Sequence, residues 1–285
     1  MDAHAGPRSG SPSLSPVPPV SSPPSPSPSP SLRRLAAPSP LPGPEYTPSA
    51  VPLDILLGCA RSHARLLEAV ARVDDTTARR PSLLPGWTVG HLVTHLARNA
   101  DSHTGMFGAA AEGRVVAQYP GGLTQRDGGI EAGAHQPADL LLADLAGAVA
   151  RLERAWDGTH VDVWRGGLGL TAARGATSVA DLVFLRWREA EIHLVDLALT
   201  DRGGPEWDDL SPAYVEAEWA WSTRLLPERL PAEVTVLLTP GDRPSRAVGR
   251  GPQVVRVDVP TLPALRWLTG RDAGDPAWPP LGPWT

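Results

Sequence analysis

From Val51 onward apolar residues recur at three- and four-residue spacing: Leu53, Leu56, Leu57, Ala60, Ala64, Leu67 and Val70 define one face of an amphipathic helix. Residues 81–87 break the pattern as a loop, and Thr88 stands as the cap of a second helix reaching about residue 111. A glycine-rich connection over 119–129 leads to a third helix over 137–156, with Pro137 in its first turn. A fourth begins at Thr177 or Ser178 and runs to 199, and a fifth covers 214–226. Long helices with loops of variable length predict an antiparallel bundle.

After Pro231 the period changes to two. Val234, Val236 and Leu238 alternate with Glu233, Thr235 and Leu237, and Val255, Val257 and Val259 alternate with Arg256 and Asp258. A short helix over 263–268 follows, with Gly270 as its C-cap. The expected fold is mainly α: an antiparallel four-helix bundle over 50–228, then a small α+β domain over 229–285. A unit that small is marginal alone and is expected to pack on the bundle.

Residues 1–49 are mostly Pro, Ser, Ala and Gly, as in Ser21-Ser22-Pro23-Pro24-Ser25-Pro26-Ser27-Pro28. Proline removes backbone donors, and there are too few large apolar groups to offset ordering entropy, so a disordered tail is expected. Arg33-Arg34 hints at a twin-arginine export signal, but Ala36-Ala37-Pro38-Ser39-Pro40 follows where an apolar stretch is required. A cytoplasmic location is expected.

Hydrophobic residues make up 41% of the chain, enough for a packed core. No window approaches the roughly 18 uninterrupted apolar residues of a membrane span. With 26 Lys+Arg against 31 Asp+Glu the formal charge is −5, which argues against a nucleic-acid binder. Cys59 is the single cysteine, so neither an intrachain disulfide nor a Cys-rich metal site is available. All basic residues are arginine, which rules out Schiff-base chemistry and the P-loop lysine. A metal here needs His, Asp or Glu ligands.

His91 and His95 lie one helical turn apart, but Leu92 follows His91 where zinc peptidases need a glutamate base. On a wheel, Val89, Leu92, Val93, Leu96, Ala100 and Phe107 make one apolar face. His91 points to the polar side with Thr94 and Arg98, whereas His95 sits at the border with Asn99 and Ser102. The fourth helix carries Arg186, Glu189, His193 and Asp196 on one strip, with Glu189 and His193 four apart. The wheel leaves two readings open, a solvated strip of ion pairs or a strip buried in the bundle. One histidine from the second helix and a Glu-x-x-x-His from the fourth make three borderline ligands, which leaves an open position as in catalytic zinc sites.

The stretch Leu84-Pro85-Gly86-Trp87-Thr88-Val89-Gly90-His91-Leu92-Val93-Thr94-His95-Leu96-Ala97-Arg98-Asn99-Ala100-Asp101, together with Arg186-Trp187-Arg188-Glu189-Ala190-Glu191-Ile192-His193-Leu194-Val195-Asp196-Leu197, resembles the mycothiol-dependent maleylpyruvate isomerase family. Tyr119-Pro120 and Ile130-Glu131-Ala132-Gly133-Ala134 add to the resemblance. It implies a DinB-like four-helix metal-binding domain followed by a small C-terminal domain. It further implies a divalent metal, usually zinc, held by His95, Glu189 and His193, with mycothiol as thiol cofactor. Asp196 is then expected to orient a histidine ligand through its other ring nitrogen, with Asn99 also behind the ligands. Trp267-Leu268-Thr269-Gly270-Arg271 resembles the family's ending, and Arg271 is expected to clamp a substrate carboxylate. The tail lies outside the family pattern, and Leu194 stands where a second histidine is common. Neither departure touches a proposed ligand.

The implied reaction is a cis–trans isomerisation of an unsaturated dicarboxylate. A thiolate adds to the double bond, the resulting single bond rotates, and elimination regenerates the thiol. Cys59 needs no part in this and is expected to pack. Two alternatives use the same residues: mycothiol S-transfer onto electrophiles, and a non-catalytic metal-binding regulatory bundle.

Overall fold

The structure, a computed structural model, describes residues 51–284, which belong to one compact unit. The tail expected over 1–49 lies outside the described residues. Four long helices build the bundle: α1 (Leu53–Val70), then, after the short α2 (Asp75–Ala78), α3 (Val89–Ala111), and later α5 (Ala138–Asp157) and α7 (Val179–Asp196). Between them lie α4 (Gly122–Ala134), α6 (Val161–Gly166) and the hairpin β1 (Leu168–Thr171)–β2 (Gly175–Ser178). Helix α3 packs along α5 and α7, and α1 packs mainly along α7. Leu66, Leu92, Leu96, Leu145, Leu152, Leu182 and Ile192 are fully enclosed between them.

The caps fall where the sequence predicts. Thr88 Oγ1 accepts the His91 backbone N–H, and Ser178 Oγ accepts that of Asp181. Ser211 caps α8 (Pro212–Arg229), with Pro212 in the first turn, and α8 extends beyond the expected 214–226. Helix α7 ends at Asp196 rather than 199. Its last carbonyl accepts the Leu83 backbone N–H at 2.8 Å, which ties the loop ahead of α3 to the end of α7.

Three expectations need correction. In α1, Leu53 and Leu57 are 63% and 56% exposed, while Gly58, Ser62 and His63 are buried. The buried face is rotated because α1 fits itself to Trp187. A Cβ on Gly58 would lie 2.4 Å from that indole, and Ser62 Oγ accepts the indole N–H at 2.8 Å. The glycine-rich connection over 119–129 is largely helical. Glycine weakens helix propensity, but α4 is held by docking on α3: a Cβ at Gly90 would meet the Ala134 carbonyl oxygen at 2.2 Å. That docking also corrects the wheel for α3, because it buries Thr94 beneath Gly133 on the side read as polar.

In the C-terminal part β3 (Val234–Leu238) is central, antiparallel to β4 (Arg246–Gly249) and parallel to β5 (Gln253–Val257). Val234, Val236 and Leu238 point inward as the alternation requires. The periodicity did not reveal β1, β2 or β4. Helix α9 (Thr261–Leu268) closes the fold, and Gly270, at φ +71°, is the residue after its cap. Gly270 N–H reaches the Trp267 carbonyl at 3.0 Å, and Arg271 N–H reaches that of Arg266 at 2.8 Å. This left-handed turn sends the Arg271 side chain back to the bundle.

Candidate metal centre

His95 projects from the middle of α3, and Glu189 and His193 from consecutive turns of α7. Glu189 Oε2 lies 2.9 Å from His95 Nε2 and 3.1 Å from His193 Nε2. The two imidazoles meet edge to face, with centroids 5.1 Å apart. Both histidines are buried and Glu189 is half-buried. Of the two readings the wheel left open, the strip on α7 is therefore the buried one.

The surroundings set the protonation of each group. Burial works against ionising Glu189, but the adjacent His95 and His193 outweigh it and hold the carboxyl well below its usual range. Burial depresses His95, even against the attraction of Glu189, and so favours its neutral form. His193 goes the other way. Burial opposes its charge, but Asp196 at Nδ1 and Glu189 at Nε2 together raise its pKa. With carboxylates at both nitrogens, a proton or another cation must stand between Nε2 and Glu189.

Behind the trio, Asp196 Oδ2 accepts from His193 Nδ1 at 2.8 Å, which leaves Nε2 directed at Glu189. Burial disfavours the Asp196 charge, yet His193 and Arg271 keep its pKa below the ordinary value. Arg271 donates to Asp196 from Nη2 at 2.7 Å and from Nε at 3.2 Å, and from Nη1 to the Thr269 carbonyl at 2.8 Å. The fork expected to meet a substrate carboxylate thus already grips one of the protein's own. Asn99 is buried, and its Oδ1 accepts from Arg186 Nη1 at 2.9 Å rather than meeting a member of the trio. His91 lies one turn from His95, against Glu131 of α4, and takes no part in the trio. Cys59 is buried beside His63, and burial pushes its thiol far above the ordinary range.

The trio opens on a cavity of about 350 Å³. Arg126, Arg174, Arg188 and Arg271 reach its wall, whereas among the described residues Glu189 is the one lining carboxylate, so the space favours an anion. Arg188 is itself held by buried Glu218, at 2.8 Å from Nε to Oε2. Arg126 packs its guanidinium over Trp87 at 5.5 Å and brings Nη2 to 3.5 Å from His95 Nδ1. Trp284 stands edge-on to His193, with centroids 6.2 Å apart and Arg271 stacked on it at 4.3 Å. Sequence reasoning missed Arg126 and Trp284. The first falls in the stretch read as a loop, and the second lies beyond every periodic segment.

The donor set fits a divalent cation. Tetrahedral zinc with bonds of about 2.0–2.1 Å has ligand–ligand edges of about 3.3 Å, close to the two distances measured at Glu189. Imidazole and carboxylate donors suit zinc, nickel and iron.

Residues 59–198 match the family model described as the mycothiol maleylpyruvate isomerase N-terminal domain. The crystal structure of the mycothiol-dependent maleylpyruvate isomerase superposes with a TM-score of 0.70 at 24% identity, over 82% of this chain and 97% of that one. A histidine-to-alanine mutant of that isomerase gives a TM-score of 0.70 at 23% identity with the same coverage. No curated protein matches the sequence. The shared architecture is the mainly helical, DinB-like fold. Residues 59–198 thus form a domain of the mycothiol maleylpyruvate isomerase N-terminal type.

Proposed function

We propose that this protein is a metal- and mycothiol-dependent isomerase of the maleylpyruvate type, acting on an unsaturated dicarboxylate through reversible thiol addition. The observation that carries the reading is the meeting of His95, Glu189 and His193 at one point of an arginine-lined cavity. In this reading those three side chains hold the cation, with zinc the best match to the donors. When bound, the ion supplies Lewis acidity and lowers the pKa of a thiol beside it.

The chain's own residues do the rest. Asp196 keeps the His193 proton on Nδ1, so Nε2 presents a lone pair to the centre. Arg271 clamps Asp196 and, from the cavity wall, adds positive charge where a substrate carboxylate enters. Arg126 supplies a second cation beside Trp87. Trp87 and Trp284 flank the trio, edge-on to His95 and His193. Residues 229–285 act as a C-terminal domain that delivers Arg271 and Trp284 to the bundle.

The test compares purified wild type with His95→Ala and Glu189→Ala, measuring the metal retained through gel filtration and the conversion of maleylpyruvate with mycothiol. Wild type is expected to retain about one ion per chain and to turn over only with mycothiol, and both variants to lose metal and turnover together. Unchanged retention in the variants removes the ligand assignment. Metal-loaded wild type that leaves maleylpyruvate untouched removes the isomerase assignment.

A further inference from the structure

A second trio of two imidazoles and a carboxylate lies on the other side of Trp87. His91 Nε2 is 3.2 Å from Glu131 Oε2, and His135 Nε2 is 3.2 Å from Glu131 Oε1. The His91 and His135 rings meet edge to face, with centroids 5.4 Å apart. Three potential ligand atoms therefore sit within 4.8 Å of one another, on α3 and at the end of α4.

The juxtaposition is built by backbone packing. The helices touch where Gly90 meets the Ala134 carbonyl and Gly133 meets Thr94, each too close for a Cβ to fit without a shift. The residues next to that contact are His91 and His135. Glu131 lies one turn before His135 on α4. Arg79 fixes the end of α4 by donating to the carbonyls of Ala134, His135 and Gln136, at 3.0, 2.7 and 3.1 Å. Its guanidinium is thereby engaged with backbone oxygens.

The far nitrogen of His91 is also held. Nδ1 accepts the Thr88 backbone N–H at 3.3 Å and lies 2.7 Å from Thr88 Oγ1. When Nε2 ligates, its proton shifts to Nδ1, where the Thr88 hydroxyl oxygen can accept it. That hydroxyl takes the place of the carboxylate or carbonyl that usually backs a ligating histidine, and the Thr88 backbone N–H is given up. The Trp87 ring stacks on His91 at 6.5 Å and limits its rotation.

We propose that His91, Glu131 and His135 form a second metal site, distinct from the His95 centre, that takes a borderline divalent transition-metal cation such as zinc or nickel. Each Nε2 stands 3.2 Å from a different Glu131 oxygen, so the carboxylate spans the two imidazoles and one ligand atom from each residue can serve a single ion. Glu131 and His135 are exposed, so water completes the coordination and the ion exchanges readily. The inner trio, enclosed and backed by Asp196, is the slow-exchanging one.

The experiment strips the full chain with a chelator, titrates it with zinc chloride and counts bound ions by equilibrium dialysis. Wild type is expected to bind about two ions, and Glu131→Gln and His135→Ala about one each, with unchanged helical circular dichroism. His95→Ala keeps the outer ion. If the inner trio takes no metal, wild type binds a single ion that His135→Ala removes and His95→Ala spares, and the outer site stands independently. The same stoichiometry and affinity in wild type, Glu131→Gln and His135→Ala overturns the proposal.

Discussion

Arg186 and His193 stand two turns apart on α7, about 10 Å along the axis, and their surroundings use them in opposite ways. Around Arg186 each contact pairs a donor with an acceptor. Its Nε donates to His63 Nε2 at 3.0 Å, and its Nη1 to the Leu96 carbonyl and to Asn99 Oδ1, both at 2.9 Å. Because His63 accepts there, its proton sits on Nδ1 and goes to Glu153 Oε1 at 2.8 Å. The result is a polar chain closed across the bundle except at Arg186 Nη2, which is buried with no partner among the described residues. Around His193 two imidazole nitrogens converge on one carboxylate oxygen at the mouth of a cavity, where a cation can replace the shared protons. A strip of polar residues on one helix thus divides into a part that binds helices together and a part whose ligand atoms converge beside a cavity. Only the second has use for a cation.

The largest expected effect that separates the two parts is on stability. Arg186→Leu removes the donor to three buried acceptors and is expected to cost about 3–5 kcal/mol in urea unfolding. Metal affinity at the His95 centre should stay within about twofold of wild type in chain that remains folded. A large loss of affinity at that centre would show that the two parts are one unit.

Acid should also act on the closed part. Burial lowers the pKa of His63 to about 4, and the Arg186 guanidinium adds to this against the pull of Glu153. Its folded pKa lies below the unfolded value near 6.5, so the unfolded chain binds the extra proton between pH 6.5 and 4. The neutral histidine's contribution is therefore complete above about pH 6.5 and is lost as pH falls, about 3 kcal/mol by pH 4. Buried His103, lowered to about 3, adds a similar slope, so the measurement compares metal-free wild type with His63→Gln. Glutamine still accepts from Arg186 without titrating. Equal acid slopes in the two proteins would show that His63 is not responsible.

A smaller effect is expected in the open part. Asp196→Asn keeps an acceptor for His193 Nδ1–H but removes the charge, and should weaken metal binding by about 10–100-fold, or roughly 1.4–2.7 kcal/mol. Its unfolding midpoint should move less than that of Arg186→Leu. A competition titration against a chelator measures the loss, and unaltered affinity would reduce Asp196 to an anchor for Arg271.

Much of this was legible before any coordinates. Thr88 and Ser178 mark helix starts through side-chain oxygens, local signals that tertiary packing did not override. The Glu-x-x-x-His spacing placed two members of the trio on one side of α7, since residues four apart stack in any α-helix. The face of α1 was misread because Gly58 and Ser62 answer to an indole more than 120 positions away. Helix α4 was missed because its stability comes from contact with α3 rather than from its own residues. The contact between Arg271 and Asp196 bridges 75 positions and has no periodic trace.

By itself the sequence determined where the long helices and the central strand begin, which residues carry ligand chemistry, and that no metal site built from several cysteines is available. Those properties depend on side-chain type and near-neighbour spacing, which the chain carries with it. Tertiary structure alone decided that His91, the other histidine of the α3 pair, turns to Glu131. It also decided which polar residues of α7 are neutralised, and that a C-terminal tryptophan and arginine reach the cavity. Such outcomes depend on the docking of surfaces remote in sequence, where a missing Cβ or a tied loop moves a donor by ångströms, the scale on which coordination and hydrogen bonding are settled.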